Sequence, residues 1–105
     1  MKHETLEITE ARSGKTSTFT AIGRVDAENA DALLYKMENA LKDGETNIIL
    51  NMSQVEYLSS IGIRVILKIY KEVTETNRTF HIDRPSEAVK NVLGMVALKE
   101  LLVKD

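Results

Sequence analysis

Apolar residues along this chain repeat at two spacings, and the switches between them mark out the elements. From Leu6 to Arg12 they alternate, Leu6 and Ile8 on one side and Glu7 and Thr9 on the other, the period-2 pattern of a half-buried strand. Ser13-Gly14 reads as a turn. Ser17 to Val25 then resumes strand character with Phe19, Ala21 and Gly23 on one face, so the two segments are expected to pair as a hairpin. After Val25 the spacing changes. Ala30, Leu33, Leu34, Met37, Ala40 and Leu41 recur at helical intervals. Asp26 stands ahead of them as the expected N-cap, and Lys42-Asp43-Gly44 closes the run with a cation and a C′ glycine.

Asn47 to Met52 contains the continuous run Ile48-Ile49-Leu50, which predicts a central parallel strand buried on both faces, with helices on either side. Ser53 to Leu58 mixes polar and apolar residues and is expected to be a loop. A second helix is predicted from about Ile61 to Thr76, with Ile63, Ile66, Leu67, Tyr70 and Val73 on its buried face and Val65 and Ile69 widening the stripe. Thr79 to Asp83 reads as a strand, and Pro85-Ser86 opens a third helix carrying Val89, Val92 and Leu93 and stopping near Gly94. Leu101 to Val103 fits a last short strand or a helical turn. The order β-β-α-β-α-β-α predicts a single α/β domain over residues 1–105. Its sheet is mixed and mostly parallel, four- or five-stranded, with helices packed against it and the hairpin at an antiparallel edge.

Composition narrows the function classes. The 105 residues suit one domain, and 14 basic against 16 acidic residues leave a net charge of −2, without the large basic field that direct nucleic-acid binding relies on. Cysteine is absent, which removes disulfides, thiol catalysis and thiolate metal sites. The polar N-terminus lacks the apolar core of a signal peptide, and no stretch approaches the roughly 20 apolar residues of a membrane span. A cytoplasmic protein without cofactor, metal or membrane partner is expected.

Arg12-Ser-Gly-Lys-Thr16 has half the look of a phosphate-binding loop, but Thr9 stands where the motif needs its first glycine, and strand rather than helix is expected to follow. His3 and His81 have no second histidine or cysteine at i+3 or i+4 with which to hold a metal. Carboxylates are plentiful, Asp26, Glu28, Asp31, Glu56 and Asp83 among them, yet catalysis would require two to converge on a pocket. Ser59-Ser60-Ile61-Gly62 stands apart. It joins a polar segment to an apolar helix, where one serine suits the N-cap. Tyr57, Leu58 and Ile61 surround it with an apolar rim of the kind that marks docking surfaces. A phosphate at this helix start would meet free N–H donors and the positive end of the helix dipole, adding about −1.5 to −2 charge without unfolding the chain. Gly62, with its bare Cα, is expected to keep the surface beside Ser60 open.

The segment Leu50-Asn-Met-Ser-Gln-Val-Glu-Tyr-Leu-Ser-Ser-Ile-Gly-Ile-Arg-Val-Ile-Leu67 resembles the signature of the STAS domain of bacterial anti-sigma factor antagonists. That signature is an apolar strand ending in Asp or Asn, a short loop, an aromatic, then an acidic residue, a serine and a glycine opening a helix. Gly23-Arg-Val-Asp26 resembles the segment before the family's first helix, and Ser86-Glu-Ala-Val-Lys-Asn-Val-Leu93 its third helix. The resemblance implies a phosphoacceptor at Ser60, two residues before the motif glycine. It implies a partner surface of Asp26, Tyr57, Leu58, Ser59, Ile61 and Gly62. It also implies that the partner is an anti-sigma factor that is itself a serine kinase, with a separate serine phosphatase resetting Ser60 and no catalysis by this chain. Ser59 stands in place of the family's acidic residue, and Ile61 in place of a small one. Competing expectations are a STAS subunit of a lipid-transport or stress-sensing assembly, a small carboxylate-based enzyme, and a nucleotide-binding regulatory domain.

Overall fold

The computed structural model describes residues 6–95 and 103–104. The hairpin comprises β1 (Leu6–Ser13) and β2 (Thr16–Val25), paired antiparallel from Leu6↔Gly23 to Ser13↔Thr16. Gly14 (φ 63°) opens the two-residue turn between them, a conformation that such hairpin loops favour at this position. Because Thr16 begins a strand, the phosphate-loop geometry is absent from this turn. Along β2 burial alternates without a break: Ser17, Phe19, Ala21, Gly23 and Val25 are buried, and the residues between them are half-exposed.

Helix α1 (Ala30–Lys42) ends as its sequence predicts. Gly44 (φ 97°) takes the left-handed C′ position, its N–H donating to Leu41 O at 3.1 Å while Glu45 N–H donates to Ala40 O at 3.1 Å, the paired bonds of a Schellman cap. Its start differs. The N-cap is Asn29, not Asp26, because residues 26–29 form a turn of their own.

β3 (Asn47–Leu58) is twice the expected length and takes in the segment read as a loop. It runs parallel to β2, with register shifts between Thr20 and Ile22 and between Gly23 and Arg24. Each extra residue on β3 turns the following side chains over to the other face. Its buried residues therefore fall at Ile48, Leu50 and Met52 and then at Val55 and Leu58, so the spacing passes from two to three. That spacing hid the strand.

α2 (Ser60–Glu75) leads into β4 (Thr79–Asp83), parallel to β3, and α3 (Glu87–Met95) leads towards β5 (Val103–Lys104), parallel to β4. The C-terminal apolar segment thus contributes a strand at Val103, while Leu101 lies outside the described residues. Ser86 caps α3: its hydroxyl accepts from Val89 N–H at 3.2 Å and donates to Val55 O at 2.7 Å, tying the helix to the bulged stretch of β3.

The sheet order is β1-β2-β3-β4-β5. The parallel strands add in one direction, so right-handed crossovers place α1, α2 and α3 on the same face of the sheet. This corrects the expectation of helices on both sides. Ile49 lies half-exposed on the uncovered face, while Ile48 and Leu50 are sealed under the helices. The buried stripe of α2 is also rotated from the one expected. Gly62, Val65, Ile66, Ile69 and Val73 are buried; Ile63 and Tyr70 pack at the flank, and Leu67 is 40% exposed. The helix is apolar around much of its girth, and only its fit to the sheet selects which residues face inward.

Candidate functional site

The carboxyl ends of β2 and β3 lie side by side, with Arg24 opposite Tyr57 and Val25 opposite Leu58. Ser59 extends this ladder by one bond, its N–H donating to Val25 O at 2.9 Å, and the chain then turns into α2. Ser59 is extended (φ −83°, ψ 171°), and its hydroxyl accepts from Gly62 N–H at 3.1 Å. It is the N-cap. Asp and Ser serve this role about equally well, so a serine in place of the family's acidic residue keeps the helix start capped.

Ser60 is the first helical residue, and it is exposed. With Ser59 acting as the cap, no side-chain hydrogen bond holds the Ser60 hydroxyl among the described residues. The N–H groups of the first helical turn have no intrahelical acceptors, and together with the helix dipole they give this end a positive character.

The residues expected around Ser60 divide into surface and support. Tyr57 is 42% exposed, with the Arg24 guanidinium 4.3 Å from its ring centroid. An exposed cation–π contact of this kind contributes about 0.5–1 kcal/mol and holds the ring in place. Ile61 and Ser59 are half-buried. Leu58 and Gly62, expected at the surface, are buried. A Cβ on Gly62 would stand 2.5 Å from Leu58 Cδ1 and 2.8 Å from Val25 Cγ1. The bare Cα therefore lets the helix start close onto the two strand ends. It does not open the surface beside Ser60.

Asp26 follows Val25 and is half-buried beside this junction. Its carboxylate accepts from Glu28 N–H at 3.0 Å, while the Asn29 side chain accepts from Asp26 N–H at 3.0 Å and donates to Arg24 O at 2.9 Å. The connection from β2 to α1 is thus clamped next to the connection from β3 to α2. Asn29 and Arg24 were not singled out in the sequence. Asn29 acts only through the turn it closes, and Arg24 meets Tyr57 only through the bulged register.

A charged cluster lies at the opposite end of the sheet, where Glu10 accepts from Ser17 and Arg12, and Arg12 reaches Asp43 at 3.1 Å. Burial pushes the Glu10 carboxyl up, but the hydrogen bonds from Ser17 and Arg12 and the charges of Arg12 and Lys36 outweigh it and hold it below the usual range.

The STAS domain family profile matches residues 7–104, and the chain belongs to that family. Over 53 residues it is 30% identical to BtrV of Bordetella bronchiseptica, by name a candidate anti-sigma factor antagonist; that stretch is 50% of this chain and 46% of the relative. The aligned stretch thus spans about half the length of the curated relative it matches. Its fold is that of the Bacillus anti-sigma factor antagonist SpoIIAA in its unphosphorylated form (TM-score 0.82, 19% identity, 94% of this chain and 88% of that one). It is equally that of an anti-sigma factor antagonist from Mycobacterium paratuberculosis (TM-score 0.84, 17% identity, 94% and 84%). Among the described residues no helix is long and apolar enough to cross a membrane.

Proposed function

We propose that this protein is an anti-sigma factor antagonist switched by phosphorylation of Ser60, acting in the bacterial cytoplasm and regulating transcription through a partner protein. The observation that carries the reading is the division of labour between the two serines. Ser59 caps the helix, so Ser60 presents its hydroxyl to solvent at the mouth of α2, beside Tyr57 and Ile61. The unphosphorylated surface of Asp26, Tyr57, Ser59, Ser60 and Ile61 binds an anti-sigma factor serine kinase, on the supports of Leu58 and Gly62. The kinase supplies the catalysis. The Ser60 oxygen attacks the γ-phosphorus of ATP, the bond to the bridging oxygen breaks to leave ADP, and the serine proton passes to a base of the kinase. The added charge repels the partner, and a serine phosphatase restores the hydroxyl by hydrolysis.

The test is a pull-down from native cytosol with the wild-type chain and with Ser60→Asp, followed by incubation of the recovered kinase with ATP and peptide mapping by mass spectrometry. Recovery of a kinase by the wild type alone, with phosphate on Ser60, is the expected result. Phosphate on Ser59 or Thr74, or equal recovery by both baits, would overturn the reading.

A further inference from the structure

Between α1 and α2 runs an open groove of about 510 Å3. Leu34, Ile61 and Val65 line it with apolar surface, and Leu67 stands at its edge, 40% exposed. Arg64, Lys68 and Lys71 line it from α2, and Asp31 from α1. Three cations face one acid there, in a chain whose net charge is −2. Lys68 is tied to Glu72 at 3.6 Å, whereas Arg64 and Lys71 make no ion pair among the described residues.

The charge decides the occupant. A second copy of this chain, docked symmetrically, would set cations against cations. A helix with apolar residues on one side and carboxylates along its flanks fills the apolar strip and meets Arg64 and Lys71 together. The groove is also continuous with the switch, because Ile61 lines it and follows Ser60 directly. Ser60 and Arg64 are neighbours at i and i+4 on α2, the spacing at which opposite charges pair on a helix.

We infer that the α1–α2 groove docks an acidic amphipathic helix of the partner protein, and that Arg64 couples this groove to Ser60. A phosphate on Ser60 and a carboxylate of the docked helix compete for the same guanidinium. This deepens the reading of Ser60 and rests on it only for the coupling.

The test titrates the full 15N-labelled chain with a synthetic helix of about 14 residues, roughly 21 Å long, bearing leucines on one side and glutamates elsewhere. A matched peptide with lysine for glutamate and vesicles of phosphatidylglycerol serve as comparisons. Saturable shifts of the Leu34, Ile61, Arg64 and Leu67 amides are expected with the glutamate peptide, and binding of the lysine peptide at least about tenfold weaker. The double variant Arg64→Glu/Lys71→Glu should lose about tenfold in affinity while keeping its melting temperature. Ser60→Asp should weaken the peptide about twofold in the wild-type background and not in Arg64→Gln. Equal binding of the two peptides, shifts confined to the uncovered sheet face, or saturation by vesicles in place of the glutamate peptide would each overturn the groove assignment. An unphosphorylated chain that ignores the glutamate peptide, yet is phosphorylated on Ser60 by the recovered kinase, refutes the groove and leaves the proposed function standing. Binding of that peptide by a chain whose Ser60 is never phosphorylated does the reverse.

Discussion

Gly62→Ala is the substitution on which sequence and structure disagree most sharply. From sequence, alanine in the first turn of a helix is an improvement, worth at most about 0.5–1 kcal/mol. The structure reverses the sign. The new methyl would lie 2.5 Å from Leu58 Cδ1 and 2.8 Å from Val25 Cγ1, where carbon atoms prefer about 3.5–4.0 Å. Leu58 can rotate its end, but it is only 4% exposed, and Val25 is fully buried and stiff at its branched Cβ. Overpacking of this kind costs about 1–3 kcal/mol, leaving a net loss of roughly 1–2 kcal/mol after the gain in helix propensity. For a domain of this size that is a fall in melting temperature of about 5–10 °C. The assay is thermal unfolding by circular dichroism of Gly62→Ala, Val25→Ala and the double variant. Truncating Val25 vacates the space the new methyl needs, so the double variant should lose clearly less than the sum of the two single losses. A Gly62→Ala protein that melts at or above the wild-type temperature, or strictly additive losses, would refute the close-approach argument.

Ser59→Ala removes the helix cap and should cost about 1 kcal/mol in urea unfolding, yet leave Ser60 as the phosphorylated residue in peptide mapping. Ser60→Asp places a carboxylate in the first turn of α2; thermal melts should show stability unchanged or raised by about 0.3–1 kcal/mol while partner binding is lost. Ile66→Ala, at a fully buried position of α2, should cost about 2–5 kcal/mol by the same measurement. Burial, and then the neighbouring carboxylate of Glu38, push the Glu72 carboxyl above the usual range, against the opposing charge of Lys68. A raised carboxyl favours the fold while protonated, so its contribution is present at low pH and lost as pH rises through its folded-state value. Glu72→Gln should therefore flatten the decline of melting temperature from acidic to neutral pH, and an unchanged profile would count against the carboxylate pair.

The sequence by itself determined most of what local periodicity and local chemistry govern. The β1–β2 hairpin, the stripe and Schellman cap of α1, the serine cap of α3 and the serine-bearing start of α2 all rest on residues a few positions apart, which interact wherever the chain goes. The family signature was legible for the same reason, since it lies in one continuous stretch. Tertiary structure decided the rest. Whether Ile49 faces a helix or solvent depends on which side the crossovers take, and crossover handedness is a property of strand pairing that no window of sequence contains. The bulges of β3 exist only in register with β2, so a strand whose buried residues fall three apart looked like a loop. α2 carries more apolar residues than one face needs, and the sheet beneath it chose Val65, Ile66 and Ile69 for the core and left Leu67 at the groove. In the sequence, the bare Cα of Gly62 reads as an open surface beside Ser60. The distances to Leu58 and Val25 show a close approach instead, and the contact with Val25, 37 positions away, is created by the fold and by nothing local.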